Sequence, residues 1–352
     1  MPTRLYRPPG PSTSQLALAP NWPNSHAAGV LIKEYLRRAF LEILTGSLRF
    51  QASDKPGSSF RPRDQVTDID HRVQLLLLRW LLETFPGTGI IAEEVTELSV
   101  LRHRFPDRDL TSLATGHLHV PCAIPGVEFF LIFDPIDGTG AFIRGDLHGV
   151  ACQIALAVRV KGRVHIIGAF IVDAYTQEIF GFRPGSSRVH RISRFEKSRQ
   201  LNGVAGREDL HDGIAILRDS VALHSKVVQR MMRPHGKGGL VRTHTIQTGS
   251  MALSYASLWC SGAALIAPPW PDTPWDLAPP LGISQRLGYL SFSIIDGIVC
   301  PFDYQLKLEP GERPFEVLWV HHRQAAGLYK WCASNKVLFR TWEGVFPGGR
   351  PR

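Results

Sequence analysis

Cysteine and long apolar runs are scarce in this 352-residue chain, and acidic residues are missing from its first 27 positions. The five cysteines lie far apart and form no C-x-x-C pair, so we expect a reduced, cytoplasmic protein rather than a disulfide-bonded secreted one. No apolar stretch is as long as a membrane span, and no membrane association is expected. Residues 1–27 also lack the apolar core of a signal peptide; a disordered tail is favoured, with an organelle transit peptide as the alternative.

The chain carries a formal net charge of +9, which favours an anionic partner. Its basic residues are spread along the sequence, and no Lys/Arg block adjoins a recognisable nucleic-acid-binding motif. A small anionic substrate is therefore favoured over nucleic acid. Binding of nucleic acid through the basic segment after Pro301 is kept as a minor alternative.

Hydrophobic periodicity predicts alternating helices and strands. Helical spacing of apolar residues predicts helices over 27–48 and 68–83, the second ending at Phe85-Pro86-Gly87. The polar, irregular residues 97–124 resemble an insertion. Further strands are predicted over 89–92, 127–133, 151–160, 164–172, 179–182, 213–217 and 263–267, and further helices over 225–232 and 250–259.

These patterns predict four segments. They are an N-terminal tail (1–27), a metal-binding α+β domain (28–182), a second α/β domain that closes the cleft (183–300) and a basic C-terminal extension (301–352).

The most informative segment is D-P-I-D-G-T at residues 134–139, directly after an apolar run. Asp134 and Asp137 stand three residues apart in a turn that Pro135 stiffens, and Gly138 allows the backbone to approach an anion closely. Hard carboxylate oxygens in such a turn suit divalent cations such as Mg²⁺. A helix beginning near Thr139 would direct free N–H groups toward a phosphate. The segment therefore predicts metal-assisted phosphate chemistry.

Other carboxylates occupy comparable places. Glu93 and Glu94 follow an apolar strand, Asp276 follows a Pro-rich loop at a predicted helix start, and Asp68 and Asp70 open the second helix. Each alone is typical of a helix cap or a solvated surface. Together they supply the several carboxylates, converging from separate elements, that hydrolysis of a phosphate ester with two or three Mg²⁺ ions requires.

In their order along the chain, these motifs resemble the inositol monophosphatase family. The resemblance covers residues 28–300 or so and also includes V-T-D-I-D at 66–70, Gly249-Ser250 before a helix and W-D-L-A at 275–278. Relatives in that family include fructose-1,6-bisphosphatases, histidinol-phosphate phosphatases and 3′(2′),5′-bisphosphate nucleotidases. The resemblance implies an α/β fold, a layered αβαβα sandwich of the sugar-phosphatase type with a mostly antiparallel first sheet.

The resemblance also implies roles for individual residues. Glu93, Asp134 and the Ile136 carbonyl would bind a first Mg²⁺, and Asp134, Asp137 and Asp276 a second, with a weaker third ion near Glu93. Thr139, oriented by Asp70, and Glu93 would activate water. Gly138, Thr139, Gly249 and Ser250 would contact the substrate. A phosphate monoester of a small polyhydroxylated metabolite (the inositol-, sugar- or histidinol-phosphate class), sensitivity to Li⁺ and a homodimer are the further implications.

Four departures from the family pattern leave alternatives open. Gly140-Ala141 and Pro279-Pro280 replace the usual residues, and residues 262–270 contain no acid that could hold a distal substrate hydroxyl. The 39 residues between Glu94 and Asp134 exceed the length found in simple monophosphatases. A bisphosphate nucleotidase is one alternative, and a catalytically impaired member that binds a phosphorylated ligand or a partner protein is another. His321-His322 and His117-x-His119 are interpreted as surface histidines rather than metal ligands.

Overall fold

The structure of the protein is a computed structural model that describes most of the chain. The described residues are 21–55, 65–120, 125–193, 198–202, 210–218, 225–247, 249–261, 264–267, 271–308, 311–312 and 316–340. Within these ranges no helix combines the length and apolar character needed to cross a membrane.

The described residues form helices and strands that alternate along the chain. The helices are α1 (Ser25–Gly46), α2 (Asp68–Thr84), α3 (Leu98–Arg104), α4 (Thr139–Ile143), α5 (Lys226–Met231), α6 (Met251–Cys260), α7 (Pro274–Leu287) and α8 (Ala325–Ser334). The strands are β1 (Ala52–Asp54), β2 (Gln65–Thr67), β3 (Gly89–Ala92), β4 (His117–Leu118), β5 (Val127–Asp137), β6 (Ala151–Val160), β7 (Arg163–Asp173), β8 (Ile179–Phe182), β9 (Val189–Ile192), β10 (Arg199–Leu201), β11 (Ile214–Arg218), β12 (Thr243–Gln247), β13 (Ala264–Ala267), β14 (Pro271–Asp272), β15 (Tyr289–Ile295), β16 (Ile298–Phe302), β17 (Gly311–Glu312) and β18 (Glu316–His321).

Two large sheets and three layers of helices alternate, which confirms the predicted αβαβα sandwich. The first sheet has the order β10-β9-β8-β7-β6-β5-β3-β4, and the second has the order β12-β11-β13-β18-β15-β16. In the first sheet β3 and β5 are parallel and the other pairs are antiparallel. Helices α1 and α2 cover its outer face, α6 and α7 lie between the sheets, and α5 and α8 cover the second sheet.

The two N-terminal helices begin where capping chemistry permits. The Asn24 side chain accepts a hydrogen bond from Ala27 N at the start of α1. At the start of α2, Thr67 and Asp70 form a reciprocal capping box, each side chain accepting from the other's backbone N–H. The apolar stripes of both helices pack on the first sheet. Both predicted helices are confirmed, with bounds displaced by no more than two residues.

Both sheets extend past the boundaries predicted from the sequence. Strands β9 and β10 continue the first sheet beyond residue 182. Strand β18 lies inside the segment predicted as a C-terminal extension, yet it pairs with both β13 and β15 in the middle of the second sheet. Its six residues are all buried, because sheet and helices cover both of its faces. The mixed composition of residues 301–352 gave no clear strand pattern for this short apolar run.

The predicted insertion is structured where the chain is described. Residues 97–120 contain α3, a 3₁₀ turn at 111–115 and β4, which pairs with β3 at the edge of the first sheet. This segment therefore returns to the strand that carries Glu93 and Glu94 at its end.

Candidate metal centre

A β-bulge at the end of β5 shapes the first part of the site. Asp134 pairs with Gln153 on β6, Asp137 pairs with Ala151, and the register shifts between them. The bulge leaves Pro135 and Ile136 outside the regular ladder, so that both aspartates lie opposite residues of one face of β6 rather than of opposite faces.

Three carboxylates converge at this point. Asp134, Asp137 and Asp276 each offer an oxygen, and these oxygens lie within 4.8 Å of one another. Asp276 occupies the first turn of α7, which starts with Pro274 at a position where a missing N–H has no cost. The Thr273 hydroxyl donates a hydrogen bond to Asp276 and orients it. The structure thus assembles the three aspartates that the sequence analysis assigned to a metal.

Asp137 is held by the N-terminus of α6. Its carboxylate accepts hydrogen bonds from Ser250 Oγ at 2.6 Å, Met251 N at 3.1 Å and Ala252 N at 2.7 Å. A carboxylate at a helix N-terminus is favoured by the unpaired N–H groups and by the helix dipole. Ser250 also caps α6, since its Oγ accepts from Leu253 N. The resulting network joins the first sheet to α6 and fixes the orientation of Asp137.

Asp134 has a different environment. The residue is 1% exposed, and neither carboxylate oxygen receives a hydrogen bond from an amide, hydroxyl or ammonium group of the described chain. Burial, then the charges of Glu93 and Asp137, raises the pKa of Asp134 well above its ordinary value. A buried, unpaired carboxylate beside other acids is costly. A hard divalent cation would give the buried carboxylate a partner and would reduce the repulsion between neighbouring acids. The oxygen-only donor set fits Mg²⁺ chemistry.

Lys55 pairs with the two glutamates that follow β3. Its Nζ lies 2.7 Å from Glu93 Oε1 and 2.8 Å from Glu94 Oε1. Burial raises the pKa of Glu94 to about 8, assisted by the charge of Glu93. Burial alone would lower the pKa of Lys55, but the two carboxylates raise it above its ordinary value. Sequence analysis did not identify Lys55, which follows β1 in a polar segment without a motif.

The pair predicted to orient water is present. Thr139 Oγ1 lies 3.2 Å from Asp70 Oδ1 and 3.0 Å from the Ile136 carbonyl oxygen. The other Asp70 oxygen accepts from Thr67 N and Thr67 Oγ1. Burial raises the pKa of Asp70 to about 6, although the Thr67 hydrogen bonds oppose the shift. Asp70 therefore links the start of α2 to the start of α4.

The two glycines of the site are required by packing. Gly138 has φ +97°, and a Cβ there would lie 2.1 Å from the Gly149 carbonyl oxygen. Gly249 has φ +81°, and its Cβ would lie 2.5 Å from the same oxygen. Protein backbone, rather than open space, thus fills the positions beside both residues.

Ser250 is fully buried, and its hydroxyl is engaged with Asp137, so a contact of this side chain with substrate stays a prediction.

One other interpretation needs correction. His321 is not a surface residue: it is buried, and its Nε2 lies 2.9 Å from the Leu287 carbonyl oxygen at the end of α7.

The Pro279-Pro280 pair lies in the second turn of α7, which nevertheless runs unbroken. The first sheet and α6 enclose that part of the helix and support its course.

Comparison with known proteins gives consistent results. A sequence model described as the inositol monophosphatase family matches residues 27–323. Similar solved structures include the extragenic suppressor protein SuhB from Bartonella henselae (16% identity, 88% of this chain and 99% of that chain, TM-score 0.57) and the IMPase of Thermotoga maritima (18%, 86% and 95%, TM-score 0.55). An IMPase/NADP phosphatase complexed with NADP and Ca²⁺ is also similar (16%, 90% and 98%, TM-score 0.55). No curated protein sequence matches.

Proposed function

Because this chain belongs to the inositol monophosphatase family, we propose that it is a Mg²⁺-dependent phosphatase that hydrolyses a phosphate monoester of a small, polyhydroxylated metabolite. The observation that carries the proposal is the cluster of Asp134, Asp137 and Asp276, whose oxygens lie within 4.8 Å of one another. Asp134 is buried and has no amide, hydroxyl or ammonium donor among the described residues, whereas Asp137 and Asp276 are held in place by neighbouring elements.

In this proposal the acidic residues bind two or three divalent cations. Asp134, Glu93 and the Ile136 carbonyl would hold one ion, and Asp134, Asp137 and Asp276 would hold another. When bound, such ions lower the pKa of water and neutralise the charge on phosphate oxygens. Lys55 balances the charge of Glu93 and Glu94 beside this site.

The remaining residues orient the nucleophile. Asp70 accepts a hydrogen bond from Thr139 Oγ1 and holds the hydroxyl in one direction. The Thr139 oxygen then accepts one hydrogen bond from the attacking water, and Glu93 accepts the proton that this water loses. Backbone N–H groups of Gly138 and Thr139 are the proposed contacts to the phosphate.

Phosphate release from a substrate panel tests the proposal. Purified protein is incubated with Mg²⁺ and inositol, sugar and histidinol phosphates, and inorganic phosphate is measured with and without EDTA. We expect release that EDTA abolishes and that Li⁺ reduces. Asp134→Asn and Asp276→Asn should each lower kcat/KM roughly 100-fold or more, because each removes a charged ligand. Asp109→Asn is the matched control, since Asp109 is exposed and its hydrogen bonds with described residues are to Thr111, in its own turn.

Absence of turnover on every substrate, together with measurable Mg²⁺ binding, would reject the enzymatic proposal. That result would support the family member that binds a phosphorylated ligand without hydrolysing it, consistent with the departures at Gly140-Ala141 and Pro279-Pro280. Unchanged kinetics in both aspartate variants would reject the assigned site instead.

A bisphosphate nucleotidase is the second candidate, favoured by one contact. The insertion brings the His117 ring to a centroid distance of 6.5 Å from Trp275, the residue before Asp276. Two aromatic rings beside the carboxylate cluster suit stacking on a nucleobase. The similar IMPase/NADP phosphatase is a protein whose structure holds a nucleotide.

Adenosine 3′,5′-bisphosphate separates the two candidates. A nucleotidase should release its 3′-phosphate with a higher kcat/KM than it shows for sugar phosphates. His117→Ala should lower only the nucleotide value, whereas His119→Ala should leave it unchanged, because His119 contacts Glu128 and Arg159. Equal effects of His117→Ala on both substrate classes would argue against stacking.

A further inference from the structure

Gln153 is a fully buried polar residue with no assigned role. Its exposure is 0%, and neither Nε2 nor Oε1 has a hydrogen-bond partner among the described residues. An amide buried in this way loses its hydrogen bonds to water without replacement, which destabilises the folded state. A hydrogen-bond partner for the Gln153 amide would remove this cost.

The sheet register identifies that partner. Gln153 lies opposite Asp134 on β5 and opposite Ile171 on β7. Directly opposed residues on neighbouring strands project to the same face, with Cβ atoms about 4.5–5.5 Å apart. Ile171 is apolar and belongs to the core between the first sheet and α7. Asp134 is therefore the polar cross-strand neighbour, and neither of its oxygens accepts a hydrogen bond from an amide, hydroxyl or ammonium group of the described residues.

We propose that Gln153 is a positioning residue for Asp134. In the metal-bound protein its Nε2–H group donates a hydrogen bond to one Asp134 oxygen and directs the other toward the cation. The amide suits this role because it donates without carrying a positive charge that would compete with the metal. Partners of this kind typically change metal affinity 10–100-fold. The inference rests on the proposed metal site, but its test does not require turnover.

Metal affinity and the stability of the metal-free protein test the role together. Mg²⁺ and Mn²⁺ dissociation constants are measured by calorimetry for wild type, Gln153→Met and Gln153→Leu, and melting temperatures are measured in EDTA. Both variants should bind metal roughly 10-fold or more weakly. Gln153→Met should melt no lower than wild type in EDTA, since it replaces an unpaired amide with an apolar group of similar size.

Gln324→Met is the matched control. Gln324 is also fully buried, but it precedes α8 on the far side of the second sheet. Its replacement should leave metal affinity unchanged.

Equal affinity of wild type and Gln153→Met, within twofold, would overturn the inference. So would an equal loss in Gln324→Met, or a loss accompanied by a large fall in the melting temperature in EDTA. Failure of the wild type itself to bind metal would instead overturn the proposed metal site, and the two failures are thereby distinguishable.

Discussion

Replacement of Lys55 by methionine removes the cation that pairs with Glu93 and Glu94 and keeps a similar side-chain volume. The Lys55 side chain is only 15% exposed, and those of Glu93 and Glu94 are 15% and 4% exposed. Removing one partner of a buried ion pair typically costs about 3–5 kcal/mol, because the remaining charge stays buried without compensation. We expect Lys55→Met to lose a free energy of unfolding of this size at pH 8 in EDTA.

Protonation sets an upper limit to that loss. A proton on one glutamate can replace the missing cation, and the ordinary pKa of this group is 4.5. Holding the proton at pH 8 costs about 5 kcal/mol, whereas at pH 5.5 it costs about 1.4 kcal/mol. Without the Lys55 cation, the folded-state pKa of the glutamates lies further above the unfolded value. The free energy of unfolding of the variant therefore falls as pH rises. The destabilisation should therefore shrink to about 1.5 kcal/mol at pH 5.5.

Urea unfolding at pH 5.5 and pH 8, followed by circular dichroism in EDTA, measures both values. Lys33→Met is the control, since Lys33 is half-buried beside Arg37 and Arg183 rather than beside acids. Its effect should not grow between the two pH values. A loss below 1 kcal/mol for Lys55→Met at pH 8, or an equal loss at both pH values, would refute the reasoning.

Three further predictions concern the same site. Gly138→Ala should lower the free energy of unfolding by about 3 kcal/mol or more, because its Cβ would overlap a carbonyl oxygen; Gly145→Ala, with φ +75° and open space, should cost only about 1–2 kcal/mol in the same urea assay. Ser250→Ala should cost about 1–2 kcal/mol and weaken Mg²⁺ binding in calorimetry, since it removes the N-cap of α6. In EDTA the wild-type melting temperature should fall as pH rises from 5 to 8, because folding raises the pKa of Asp70 to about 6 and the pKa of Glu94 to about 8. A melting temperature that does not change with pH would contradict this. Added Mg²⁺ should make the melting temperature depend less on pH.

The long helices and the sheet strands could be predicted because their signals are local. In α2 the Thr67–Asp70 capping box and the apolar stripe lie within one segment, and periodicity locates them. The carboxylates of the candidate site could be found because each follows a strand or begins a helix. Their convergence within 4.8 Å depends on the bulge in β5 and on the start of α7, and only the resemblance to a family predicted it.

Residues whose roles depend on distant partners were not predictable. Lys55 meets Glu93 across 38 residues, and no local pattern links them. Gln153 lies within a strand that is buried on both faces, so its polar side chain interrupts an apolar run without forming a motif. Strand β18 was missed because its six buried residues lie within a segment of mixed composition that has no clear motif.

The contact between Asp137 and α6 also has a consequence for synthesis on the ribosome. Asp137 and Ser250 are 113 residues apart. Strand β5 therefore leaves the ribosome long before the groups at the start of α6 that donate hydrogen bonds to Asp137 have been synthesised. Asp276 emerges later still. A nascent chain that stops before α7 therefore lacks one of the three aspartates, and the site can assemble only after residues 250–276 have been made.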